Sequence, residues 1–125
     1  MEKVFLDANI LIDLVEKRKD LQPEDVASYD VFITPLSAHI LMYVTHQKVP
    51  YPTFSEIIKP FSIVMFDEII LKQSLAGPTD DFEDNVQLHS AAEADCDLFL
   101  TNDAKLLDMK FFGKTRLVGA INYEE

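Results

Sequence analysis

Apolar residues along this chain come in two rhythms. Short unbroken runs punctuate it: Val4-Phe5-Leu6, Val31-Phe32-Ile33, the segment from Phe61 to Phe66, and Leu98-Phe99-Leu100. Between them apolar positions recur at helical spacing, as at Ile10, Leu11, Leu14 and Val15. The spacing predicts helices from Ala8 to about Lys19, from Thr34-Pro35 to about His46, and from about 67 to 76, the last stopped by Gly77-Pro78. Pro50 and Pro52 break the second of these. A short helix opens at Pro23-Glu24-Asp25, another covers about 53–59, and a third follows Thr101-Asn102-Asp103. Thr79 or Asp80 caps a longer helix that reaches about Ala94. Thr115 to Val118 reads as a fifth strand at an edge.

Strands that are apolar at every position are covered on both faces. Alternation of such strands with helices predicts an α/β fold, with a central parallel sheet of about five strands between two helical layers. A length of 125 residues fits one domain spanning 1–125.

In a parallel sheet, functional residues gather at the carboxyl ends of the strands. Asp7 ends the first strand, and Asp103 stands just past the fourth. Asp81 and Asp84, three apart, share a face near the start of the helix that precedes the fourth strand. Three segments distant in sequence can thus bring carboxylates to one edge. Like charges held close raise one another's pKa, and a divalent cation relieves that. Oxygen-only ligands select Mg²⁺ or Mn²⁺, which activate water for attack on a phosphodiester. The plainer reading makes Asp7 and Asp103 helix N-caps and Asp81 an ordinary acid of a first helical turn.

Composition narrows the alternatives. One cysteine, Cys96, excludes an intramolecular disulfide and a Cys-rich zinc site. Three glycines leave no Gly-rich phosphate loop. No apolar stretch approaches the length of a membrane span, and no secretory signal is visible, so a cytoplasmic protein without membrane contact is expected. The net charge of −11 comes from 22 acids against 11 Lys and Arg, which works against a polyanionic partner unless cations neutralise the acids. A phosphotransfer site on Asp7 would want a second acid two residues on, and Asn9 stands there.

FLDANILIDL and DFEDNVQLHSAAEADCDLFLTND, with the order of elements between them, resemble the PIN domain. This family of small metal-dependent ribonucleases includes the VapC-type toxins of bacterial toxin–antitoxin pairs. The resemblance spans nearly the whole chain and is closest to the branch whose late helix begins with DFED. It implies a five-stranded parallel sheet between helices, one or two Mg²⁺ or Mn²⁺ ions, and cleavage of RNA. By position it implies Asp7, Asp84 and Asp103 as catalytic metal ligands, Asp81 as a further acid, and Asn9 and Thr101 as braces. It also implies an antitoxin partner and a homodimer, for which the apolar helix around Ile40 to Val44 is a candidate surface. Most active members carry a glutamate early in that helix; here its place falls on Ile40 or, with a slip of one, His39. The alternative reading is therefore a PIN-like module that binds RNA or protein without cleaving. Lys17, Arg18 and Lys19 are one candidate RNA patch, and Lys105, Lys110, Lys114 and Arg116 a looser second.

Overall fold

The computed structural model describes residues 1–18 and 21–121. Strand β1 (Lys3–Leu6) leads into helix α1 (Ala8–Glu16). A 3-10 turn (Pro23–Val26) precedes β2 (Asp30–Ile33), α2 (Pro35–Thr45) and α3 (Pro52–Ile57). Then follow β3 (Ser62–Ile63), α4 (Glu68–Ala76), α5 (Phe82–Glu93) and β4 (Leu98–Leu100). Helix α6 (Ala104–Met109), β5 (Phe111–Phe112) and β6 (Thr115–Val118) complete the order.

The strands form one sheet in the order β3-β2-β1-β4-β6-β5. All neighbours are parallel except β5 and β6. The sheet therefore has six strands where about five are predicted. The predicted edge strand, β6, is interior to the sheet, because Phe111–Phe112 folds back antiparallel to cover it. Gly113, at φ +61, lies in the connection between these two strands and takes a backbone conformation that suits glycine.

Side-chain alternation along β1 divides the core. Val4 and Leu6 pack with Ile10, Leu11 and Leu14 of α1, Leu41 of α2 and Phe54 of α3. Phe5 faces the opposite layer, with Ile70 of α4, Val86 and Leu88 of α5, and Leu106 of α6. Its ring stacks on Phe99 of β4 with centroids 5.4 Å apart. Helices thus cover both faces, as the unbroken apolar strands require.

Several boundaries differ from the sequence expectation for local reasons. Helix α1 stops at Glu16 because Lys17 turns left-handed, its N–H bonding back to the Asp13 carbonyl. Helix α2 ends at Thr45, before either proline, with His46 left-handed. Pro52 starts α3 rather than breaking a helix, since its missing N–H costs nothing at the first helical position. The run from Phe61 to Phe66 yields only a two-residue strand. It pairs with β2 alone, and past Val64, whose N–H reaches the Ile33 carbonyl, β2 has ended. The Asp67 carboxylate caps α4 by accepting the Ile70 N–H at 3.0 Å. Among the described residues no helix is long and apolar enough to cross a membrane.

Candidate active site

The chain runs outward from β1 through β2 to β3, then returns to place β4 on the other flank of β1. The point where the winding reverses lies between β1 and β4, and a crevice opens at the carboxyl ends of strands at such a point. Asp7 and Thr101 stand on its two sides. The Asp7 N–H donates to the Leu100 carbonyl at 2.9 Å, which fixes their register.

Asp7 occupies the N-cap position of α1, yet its side chain makes no capping bond. The ordinary explanation for an acid between strand and helix does not hold here. Instead the Thr101 hydroxyl donates to Asp7 Oδ2 at 2.6 Å. The same hydroxyl accepts the Asp103 N–H at 3.0 Å. One threonine thus ties the first acid to the backbone of the last. Asp7 is only 3% exposed. Burial pushes its carboxyl above the ordinary value, and the charge of Asp103 adds to the push; the hydrogen bond from Thr101 opposes it.

Helix α5 brings the other acids. Asp81 is its N-cap and accepts the Asp84 N–H at 3.0 Å. The cap is thus Asp81, not Thr79 or Asp80. Thr79 is engaged elsewhere, with its N–H and hydroxyl both on Asn85 Oδ1. The Asp84 carboxyl is pushed up to about 7, first by burial and then by the charges of Asp81, Asp7, Asp103 and Glu83. Three separate elements therefore bring their acids within electrostatic reach of one another. Asp103 caps α6 through the Lys105 N–H at 2.9 Å, so for Asp103 the capping reading is also correct, while Asp81, read as an ordinary acid of a first turn, is a cap as well. Capping occupies one carboxylate oxygen of each.

A cleft of about 200 Å³ opens among Asp81, Asp84, Asp103, Thr79, Asp80 and Lys105. Its donor set is carboxylate and hydroxyl oxygen, which suits a hard divalent cation. As the side chains stand, no three His, Cys, Asp or Glu among the described residues converge on one point at ligand distance. Holding an ion would take a rearrangement of these side chains, with Asp7, Asp84 and Asp103 the expected ligands and Asp81 beside them. Mutual repulsion is what such an ion would relieve.

The remaining predicted residues fall into place unevenly. Asn9 is exposed in the first turn of α1, and no hydrogen bond joins it to the acids among the described residues. Lys17 and Arg18 are exposed but follow the far end of α1. A nine-residue helix, roughly 14 Å long, separates them from Asp7. Lys19 lies outside the described residues. Lys17 and Arg18 are therefore not brought to the acids; Lys105, from the looser second patch, lines the cleft instead. Ile40 packs against the core under α2, and His39 is exposed beside the Tyr43 ring. Neither supplies an acid. The apolar helix α2 is neither fully buried nor bare: Leu41 is sealed, while Tyr43 is 73% exposed.

Three side chains that the sequence reading passes over matter here. Gln87 is sealed in α5, and its Oε1 accepts the Ala8 N–H at 2.7 Å. Asn85, also sealed, bonds Thr79 on two sides and donates to the Ser74 carbonyl. It thereby pins the loop that forms one wall of the cleft. His89, one turn on, bonds the Gly77 carbonyl at 2.9 Å. The available signal was two amides inside an otherwise apolar run, Asn85-Val86-Gln87-Leu88, with Gln87 three residues after Asp84.

No family model matches the chain, and no curated protein matches it in sequence. Among solved structures, the fold matches the crystal structure of VapBC2 from Rickettsia felis bound to a DNA fragment from their promoter. The TM-score is 0.65 over 93% of this chain and 97% of that one, at 13% identity. The architecture is PIN-like.

Proposed function

We propose that this protein is a divalent-metal-dependent endoribonuclease of PIN type, with Asp7, Asp84 and Asp103 as metal ligands. Asp81 would be a further or outer ligand, with Thr101 holding Asp7 in place. The observation that carries the reading is Asp7. It is a buried acid at the reversal point of the sheet, with no capping role, in electrostatic contact with acids from two other elements. When bound, Mg²⁺ or Mn²⁺ supplies charge neutralisation and a more acidic water for attack on a phosphodiester. The chain's own residues set the stage for that chemistry. The Thr101 hydroxyl fixes Asp7, the Asp81 carboxylate fixes the start of α5, and Lys105 offers a cation at the rim.

The likeness in fold to a VapBC2 complex supports the toxin of a toxin–antitoxin pair with an antitoxin partner. The reading further takes the chain as a single PIN-like domain over 1–125, homodimeric and cytoplasmic. The test is cleavage of a panel of single-stranded and hairpin RNAs in Mn²⁺, in EDTA, and with Asp7→Asn. Cleavage that needs both the metal and Asp7 supports the reading; cleavage that survives Asp7→Asn refutes it.

A second reading is a PIN-like module that binds RNA or protein without cutting. Two observations favour it: Ile40 is half-buried against the core at the position where the resemblance expects an acid, and no three ligand groups converge as the side chains stand among the described residues. Retained RNA binding with no Mn²⁺ uptake would support it.

A further inference from the structure

Helix α5 delivers two polar groups from one face, an acid at position 84 and an amide at position 87. We infer that Gln87 is a positioning residue of the site, capping α1 in place of Asp7 and so leaving the Asp7 carboxylate free to serve the acid cluster. The inference rests on the nuclease reading above and assigns a role that reading does not contain.

A helix starts with N–H groups that need acceptors, and an aspartate at the N-cap ordinarily takes those of the second and third residues. Here the Asp7 side chain does neither. The N–H of the first residue, Ala8, goes to Gln87 Oε1 at 2.7 Å, from a helix 79 residues further along the chain. Gln87 is 2% exposed. A glutamine is costly to bury unless its amide is satisfied, and this one is. Its Nε2 reaches the Glu83 carbonyl at 3.4 Å. Neutral groups thus flank Asp7, the Thr101 hydroxyl that bonds its carboxylate and the Gln87 amide that bonds the adjacent Ala8 N–H. A cation in either place would neutralise the acid and compete with metal. Without Gln87, the nearest acceptor for the start of α1 is the Asp7 carboxylate itself. Rotating it onto the Asn9 or Ile10 N–H would withdraw it from the cluster.

Two variants separate positioning from mere support. Gln87→Leu removes the acceptor. Gln87→Glu keeps an acceptor for Ala8 but adds a charge beside Asp7. Each is melted in EDTA and titrated calorimetrically with Mn²⁺. Gln87→Leu should fold with a small loss of Tm, since Asp7 takes over the cap, and should lose roughly tenfold or more in Mn²⁺ affinity. Gln87→Glu should melt lowest in EDTA, because the added charge is buried among acids, yet bind Mn²⁺ at least as tightly as wild type. Opposite orders of stability and affinity cannot come from a purely structural role. Affinity that simply follows Tm across the set would overturn the inference. If wild type takes up no Mn²⁺, the nuclease reading fails on its own. The crystal structure of Gln87→Leu then decides separately: an Asp7 carboxylate on the Asn9 or Ile10 N–H supports the positioning role, and an unmoved Asp7 refutes it.

Discussion

Replacing Asp84 with asparagine tests the electrostatics of the acid cluster through stability alone. In the metal-free protein the Asp84 carboxyl stands at about 7, against 3.8 for an ordinary aspartate. Burial is the first cause and the neighbouring acids the next. Between those values the native state holds more protons than the unfolded chain. Stability is therefore fully present below about pH 4, declines as pH rises towards about 7, and stays low above that. For a sealed group a shift of this size would correspond to about 4 kcal/mol. Asp84 is partly exposed, and solvent screening reduces the effect to about 1–2 kcal/mol. Asp84→Asn carries no charge at any pH and keeps the backbone N–H that Asp81 accepts. Near pH 8 in EDTA it should therefore melt higher than wild type by roughly 4–8 °C. Near pH 4 the two curves should meet. The assay is thermal unfolding by circular dichroism in EDTA across that range. A variant no more stable than wild type near pH 8 would refute the reasoning, as would a gap that persists at low pH.

Other outcomes follow from single contacts. Thr101→Val removes the donor to Asp7 Oδ2 and leaves a buried carboxylate short of one bond; urea unfolding should show a loss of about 1–3 kcal/mol, with weaker Mn²⁺ uptake. The Thr34 hydroxyl is buried with no partner among the described residues, so Thr34→Val should leave stability unchanged or raise it by up to about 1 kcal/mol in the same assay. Lys105→Ala should weaken RNA capture and flatten its salt dependence in a filter-binding assay, while Mn²⁺ affinity stays intact.

What the chain reveals before folding depends on whether the cause is local. The unbroken runs Val4-Phe5-Leu6 and Leu98-Phe99-Leu100 identify themselves as interior parallel strands, because burial on both faces requires apolar residues at every position. Asp7, Asp84 and Asp103 were legible as strand-end and helix-start acids for the same reason. The run from Phe61 to Phe66 misled, since its apolarity serves the core while its pairing is limited by where β2 ends. The antiparallel return of Phe111–Phe112 was hidden because two residues carry no period. Gln87 was the deeper omission. Its role is set by a contact across 79 residues; the local pattern places an amide beside apolar neighbours on the Asp84 face of the helix but does not say which distant group it caps. The placement of Lys17 and Arg18 is a matter of direction: α1 starts at the acid edge and carries its end away from it.

The central claim is that Asp7, just past the end of β1, and Asp84 of α5 belong to one divalent-metal site. Calorimetric titration of Mn²⁺ into wild type, Asp7→Asn and Asp84→Asn tests it most directly. Saturable binding by wild type that each substitution abolishes is the predicted result. Binding that survives either substitution, or its absence in the wild type at millimolar metal, would contradict the account.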